Sequence, residues 1–177
     1  IVQHALLIAS RSLIEKRFIQ NTFACMKGKG THKASLCLQS GIRKFRDKGY
    51  FLKIDIKKFF YSISHKYITQ RLEKIIKCKS TINLYKLFYE NSNGIGLPLG
   101  NVTSQVLANL ALTELDHFCK RNLKIKYYVR YMDEIIILAE DKSRLKESLR
   151  GICKILDKAE LKINNKTSIG KIANGID

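Results

Sequence analysis

The sequence predicts an α+β domain whose antiparallel sheet carries helices on one face, and three observations lead to it. YFLKIDI at 50–56 has the composition of a strand, and IKYYVRY with IIILA reads as a β-hairpin around Met132-Asp133-Glu134. Apolar residues recur at helical spacing in the intervening segments. The resulting order of strand, helices, strand, strand, helix, strand fits a split βαβ arrangement. At 177 residues and 45% apolar composition, the chain is long enough for one ordinary core with a small subdomain attached.

Each element has its own signal. Residues 1–20 carry Val2, Leu6, Leu13 and Ile14 in a loose helical rhythm. MKGKGTHKA, with Gly28 and Gly30 among Lys27, Lys29 and Lys33, reads as a mobile basic loop leading into a helix to about Arg46. After the 50–56 strand, Ser64 can cap a helix striped by Ile68, Leu72, Ile75 and Ile76. A further helix over 81–90 uses Leu84, Leu87 and Phe88. NSNGIGLPLG is turn-rich, and Pro98, the only proline, stiffens one point in it. Thr103 or Ser104 then starts a helix bearing Leu107, Leu110, Ala111, Leu115 and Phe118. Beyond the hairpin, Asp141 or Ser143 opens a helix bearing Leu145, Leu149, Ile152, Leu156 and Ala159. LKINNKTSIGKI ends the chain as a strand or hairpin.

Charge narrows the function. The formal charge of +18, from 33 Lys and Arg against 15 Asp and Glu, favours a polyanionic partner. Nucleic acid leads, an anionic membrane surface is weaker, and a plain solubilising surface is the bland alternative. No apolar run reaches the length of a bilayer span and no secretory pattern opens the chain, so no membrane partner is expected. Five scattered cysteines without a close pair suit reduced, buried thiols in a cytoplasmic protein.

Against that positive background, three carboxylates stand out. Asp55 lies at a strand end, and Asp133 and Glu134 lie at a hairpin tip. Adjacent central strands would bring Asp55 and Asp133 together, where two uncompensated carboxylates repel but a divalent cation uses both. Magnesium, with manganese as a substitute, prefers oxygen ligands and leaves positions for substrate phosphates. Such a pair suits two-metal phosphoryl transfer, with Lys27 and Lys29 meeting a triphosphate and surrounding Lys and Arg tracking a nucleic-acid backbone. Taken singly, Asp55 is a cap or turn residue, Asp133-Glu134 a polar turn, and Phe59 and Phe60 core.

In order, FLKIDIKKFFYSI, GLPLGNVTSQVLANLALTELDHF, YVRYMDEIIIL and LKINNKTSI resemble four successive palm motifs of reverse transcriptases. QHALL, FACMKGKGTHKA and LPLGNVTSQ are most similar to the enzymes of diversity-generating retroelements, with group II intron and retron enzymes as neighbours. The resemblance implies a polymerase palm on a split βαβ-like sheet. By motif order, 1–49 is a partial helical fingers region, 50–79 the first palm part, 80–102 a connection and 103–177 the second palm part. It implies that Asp55 and Asp133 hold the metals, with Glu134 in the second hairpin position. The same resemblance implies that Phe60 selects deoxynucleotides and that Leu99, Gly100 and Lys166 lie near the incoming nucleotide. It further implies that Gly96, Pro98, Asn101, Ser104 and Gln105, with Tyr131 and Met132, meet nucleic acid. RNA template, DNA primer, dNTPs and a small basic accessory protein are the implied partners.

Two departures from the family pattern matter. Glu134 stands where Asp is usual, keeping the charge but lengthening its reach. Leu99 replaces a Gln found in many reverse transcriptases and cannot supply the amide's donor and acceptor. The aliphatic residue matches the diversity-generating class and implies misincorporation, especially opposite template adenine. The chain opens partway into the fingers pattern and ends at Gly175-Ile176-Asp177, where the family continues toward a thumb, so processive synthesis is expected of a longer protein. The alternatives are a catalytically impaired, palm-derived nucleic-acid-binding module and a group II intron or retron type of enzyme.

Overall fold

The computed structural model describes residues 1–45 and 48–176. Its strands are β1 (Tyr50–Ile54), β2 (Tyr127–Tyr131), β3 (Glu134–Ala139) and β4 (Ser168–Lys171). They form one sheet in the order β2-β3-β1-β4, with every neighbouring pair antiparallel. Helices join β1 to β2 and β3 to β4, which is the split βαβ order expected.

Side chains alternate across the strands, so each face can be read from the register. Leu52 and Ile54 of β1 and Ile135 and Ile137 of β3 enter the main core. There they meet Leu107 and Leu110 of α6 (Val102–Ala111) and Ile152 and Leu156 of α8 (Lys142–Lys158). Removing each such side chain from water contributes about 1.5–3 kcal/mol. On the opposite face, Phe51 and Leu138 pack with Leu38, Ile42 and Phe45 of α2 (Thr31–Phe45). Helices therefore flank both faces, α2 lying across the β2–β3 end. Gly41 makes that approach possible, because a Cβ there would stand 2.9 Å from Leu138 and 3.1 Å from Tyr127. The expected helix end near Arg46 lies outside the described residues.

Several local expectations shift. In α1 (Val2–Glu15), Val2 and Leu13 are exposed, and the buried positions are Leu6, Leu7, Ser10 and Ile14. Ser10 can be buried because its hydroxyl donates to the Leu6 carbonyl at 2.6 Å and shares a 2.7 Å bond with the Tyr85 hydroxyl. The following short helix α3 (Phe59–Ser62) precedes α4 (His65–Glu73), where Ser64 is the N-cap as expected and accepts from the Tyr67 amide at 3.5 Å. In α5 (Lys79–Tyr89), Leu87 is 78% exposed, whereas Ile82, Tyr85 and Tyr89 are buried. Hydroxyl partners on Ser10 and Thr69 let the tyrosines take the core positions.

Asn101, not Thr103 or Ser104, precedes α6, and both hydroxyl residues are buried in its first turn. Asp141 precedes α8, without a side-chain capping bond. After α6 come α7 (Thr113–His117) and a π-helical turn over Phe118–Asn122. All five cysteines are free as expected, but only Cys119 is buried, and Cys78 is exposed.

Candidate active site

The hairpin places the carboxylates. Ile54 lies opposite Ile135 and Tyr131 opposite Glu134, so Asp55 leaves β1 beside the β2–β3 turn. Only Met132 and Asp133 separate the paired strand ends, which confirms the expected hairpin tip. Met132 takes the left-handed conformation with φ 57°, at a cost of about 1–2 kcal/mol for a side chain other than glycine. Asp55, Tyr131, Met132, Asp133, Glu134 and Lys166 then line one open cavity of about 610 Å³ with Lys53 and Ser168.

Three carboxylates and two lysines, Lys53 and Lys166, share this cavity. Burial pushes the Asp133 carboxyl above the ordinary range, and the charges of Asp55 and Glu134 push it further, against opposing contributions from a backbone hydrogen bond and Arg130. Asp55 is held at one oxygen, where Asn164 Nδ2 donates to Oδ2 at 2.7 Å. The Asn164 amide also donates to the Asp55 carbonyl at 2.7 Å, and Ile56 bridges Ile163 beyond the end of β1. Asn164 thus grips Asp55 by backbone and side chain. Its Oδ1 also accepts from the Lys166 amide at 3.4 Å, which shapes the approach of that lysine.

Among the described residues, no group of three or more His, Cys, Asp or Glu side chains gathers into a self-sufficient metal site. The donor set nevertheless fits magnesium, which characteristically takes one or two protein carboxylates and fills its other positions with water and substrate phosphate. The charges of Asp55 and Glu134, added to burial, raise the Asp133 carboxyl, as expected of carboxylates that face one space, although Lys53 and Lys166 line the same cavity.

The remaining sequence candidates lie away from this cavity. Lys29 Nζ donates to the carbonyls of Gln20 at 2.6 Å and Thr22 at 2.9 Å and stands 5.5 Å over the Phe23 ring. Burial lowers its pKa, and neighbouring Lys27 is exposed. Phe60 packs edge-on against Phe59 at 5.8 Å, and its carbonyl accepts from the Leu97 amide at 2.7 Å. The Gly96 amide donates to the Ile63 carbonyl at 2.8 Å, and the Gly96 carbonyl meets His65 Nε2 at 2.7 Å. Gly96 has φ 93° and its Cβ position lies 3.4 Å from the Tyr61 carbonyl, so a side chain would be strained there. These bonds staple the 94–97 backbone to 60–65 and present Pro98, Leu99 and Gly100 to solvent, Leu99 being 60% exposed. Asn101 Nδ2 donates to the Phe88 carbonyl at 3.5 Å, Gln105 is half-buried, and the buried Ser104 hydroxyl has no hydrogen-bond partner.

Sequence reasoning missed Asn164 and a buried polar network beneath the hairpin. Arg130 and Asp116 are both fully buried and joined by bonds of 2.8 Å from Nε and 2.7 Å from Nη2. Tyr128 donates to the same carboxylate at 2.6 Å, and Thr22 donates at 3.2 Å. Arg130 Nη1 reaches Asn109 Oδ1 at 2.9 Å and the Met132 carbonyl at 2.8 Å. Burial opposes the guanidinium charge, but Asp116 outweighs it and raises the Arg130 pKa. A signal existed: Arg130 alternates with Tyr128 on a strand, and Asp116 interrupts the apolar run of Leu112, Leu115 and Cys119.

A family model described as "Reverse transcriptase (RNA-dependent DNA polymerase)" matches residues 3–171. A Schizosaccharomyces pombe protein named "Uncharacterized 91 kDa protein in cob intron" is 29% identical over 136 residues, covering 72% of this chain and 16% of the relative. Telomerase from Candida tropicalis, solved with a fragment of telomeric RNA, superimposes with a TM-score of 0.68 at 14% identity. That match covers 98% of this chain and 34% of the telomerase chain. Telomerase from Candida albicans gives 0.65 at 14% identity over 96% of this chain and 33% of its own. At such identity the structural likeness concerns the fold, and the chain spans a small part of the intron protein and about a third of each telomerase. No helix among the described residues is long and apolar enough to cross a membrane.

Proposed function

This chain belongs to the reverse transcriptase (RNA-dependent DNA polymerase) family, and from that premise we propose that it carries the palm of an RNA-directed DNA polymerase. The primer 3′-oxygen attacks the α-phosphate of a dNTP paired with an RNA template, forming one phosphodiester bond as pyrophosphate leaves. The observation supporting this reading is the shared cavity of Asp55 and Asp133, whose carboxyl is raised partly by its acidic neighbours.

Asp55 and Asp133 would hold divalent magnesium or manganese, with Glu134 at the rim; when bound, such metals acidify the primer hydroxyl and neutralise charge on the phosphates. Asn164 leaves one Asp55 oxygen available by occupying the other. Lys166, exposed on the cavity wall, would meet the triphosphate and its departing pyrophosphate, and exposed Lys27 is freer to do so than Lys29, whose ammonium is tied to two carbonyls. Phe60 disfavours a 2′-hydroxyl, while the 96–105 segment and Tyr131-Met132 meet template and primer. Nucleic-acid binding should weaken steeply with salt, as expected for phosphate contacts.

Primer extension by the full-length protein tests this. Asp133→Asn should reduce magnesium-dependent dNTP incorporation about a thousandfold. Normal incorporation in that variant would remove Asp133 from its role. Extension with NTPs in preference to dNTPs would point to RNA synthesis, and RNA binding without any extension would point to a palm-derived binding module.

Two subtypes remain in play, each with its own support. Leu99 and the basic-loop motifs favour a diversity-generating enzyme with a small basic accessory protein, whereas the likeness to a protein of a cob intron favours an intron-encoded one. Leu99→Gln should lower misincorporation opposite template adenine severalfold in the first case, because the amide restores a donor and acceptor. An unchanged error spectrum favours the second.

A further inference from the structure

We infer that Arg130, assisted by Asn109 and Asp116, is a positioning residue for the Met132-Asp133 turn, an inference whose catalytic meaning rests on the polymerase reading above. Arg130 sits in β2 with its guanidinium on the core side, while the turn two residues later opens toward the cavity. Asp116 fixes one edge of the guanidinium through two bonds, and Asn109 Oδ1 fixes Nη1. With the plane thus immobilised, the second Nη1 donor meets the Met132 carbonyl at 2.8 Å.

That carbonyl lies in the same rigid peptide plane as the Asp133 nitrogen and Cα. Holding its oxygen therefore sets the orientation from which the Asp133 side chain departs. The restraint is needed because Met132 occupies a left-handed conformation that its side chain disfavours. The same network anchors the entry to the basic loop. Asn109 Nδ2 donates to the Ala24 carbonyl at 2.8 Å, and the Arg130 backbone pairs with Asn21 and Phe23, both at 3.0 Å.

Stability alone does not account for this arrangement, since well-packed apolar residues commonly replace a buried ion pair without loss. An apolar side chain could fill the space, but it could not donate to Met132. Misplacement of a reacting group by about 1 Å can cost a hundredfold in rate, so a modest restraint on this peptide plane has catalytic leverage.

The test compares the full-length protein with Arg130→Lys, whose single ammonium keeps the charge but not the planar fork. Three readouts are taken: amide hydrogen exchange across the turn, Mn²⁺ binding without substrate by electron paramagnetic resonance, and steady-state extension. Expected are about tenfold faster exchange at 131–134 with β1 and α8 unchanged, about tenfold weaker Mn²⁺ binding, and kcat reduced at least tenfold while KM for dNTP stays within about twofold. If Arg130→Lys does not fold, Asn109→Ala, which frees one side of Nη1, should show smaller changes in the same directions. Native exchange at the turn and native Mn²⁺ affinity in the folded variant overturn the inference, whatever happens to Tm. If the unaltered protein extends no primer yet the exchange and Mn²⁺ responses appear, the positioning role stands and the polymerase reading falls.

Discussion

The two sides of the β2–β3 hairpin treat charge in opposite ways. On the core side, Arg130 and Asp116 are wholly removed from water; Tyr128 and Thr22 donate to the carboxylate, and Asn109 accepts from the guanidinium. On the open side, Asp133 shares its cavity with Asp55 and Glu134, and those two charges push its carboxyl up in addition to the effect of burial. Nine residues, from Tyr127 to Ile135, contain both environments. A buried charge survives only when its partners are built in, whereas a half-exposed carboxylate can be left uncompensated for a cation that arrives with substrate. The difference separates charges satisfied within the fold from charges left open to solvent, where the proposed function would place a metal.

The contrast can be broken most forcefully from the core side. Arg130→Met should destabilise the protein by about 3–5 kcal/mol by stranding the Asp116 carboxylate, measured by chemical denaturation. Pairing it with Asp116→Leu should recover much of that loss, and failure to recover would mean that packing, not unpaired charge, is at stake. On the open side, Asn164→Ala should lower kcat about tenfold, near 1.4 kcal/mol, with Tm falling only a few degrees. Here the donor removed restrains Asp55 rather than neutralising a buried ion. An unchanged kcat would show that the backbone pairing of Asp55 and Asn164 suffices without the amide.

The smallest effect has the opposite sign. Asp133→Asn, the variant expected to lose extension, should raise Tm by about 1–3 °C at neutral pH in metal-free buffer, because it removes a partly buried charge and its repulsion with Asp55 and Glu134. Asp133 has a folded pKa above its ordinary value, so its stabilising contribution is complete below the unfolded pKa and is lost as pH rises through the folded one. The Tm gap between variant and native protein should therefore close on acidification. A gap that persists below pH 3.8 would assign the gain to something other than the Asp133 charge.

Legibility in the sequence followed how local each cause was. The hairpin was readable because its alternation and its short polar tip lie in one contiguous segment, and Ser64 was readable as a cap from its place before an apolar stripe. The exposed Leu13 and Leu87 were misplaced because helical spacing identifies an apolar residue, not the side from which neighbours arrive. Tyr85 and Tyr89 took the core positions through hydroxyl partners on other segments. Asp55 and Asp133 could be nominated from strand ends, yet Asn164, 109 positions beyond Asp55, had no local mark to join it to that carboxylate.

What the sequence by itself determined is the inventory and its order: a basic chain, strand and helix periods arranged as a split βαβ unit, and three carboxylates at strand ends. Periodicity and turn chemistry act over a few residues, so these survive being read in one dimension. Only the tertiary structure decided which carboxylates share a cavity, which face α2 covers and what lies beneath the turn. Those outcomes depend on strand register and on polar groups as distant as Thr22, Asp116 and Arg130 satisfying one another where water is excluded. Desolvation makes each such partner obligatory, but it acts on neighbours in space, which the linear order of residues does not specify.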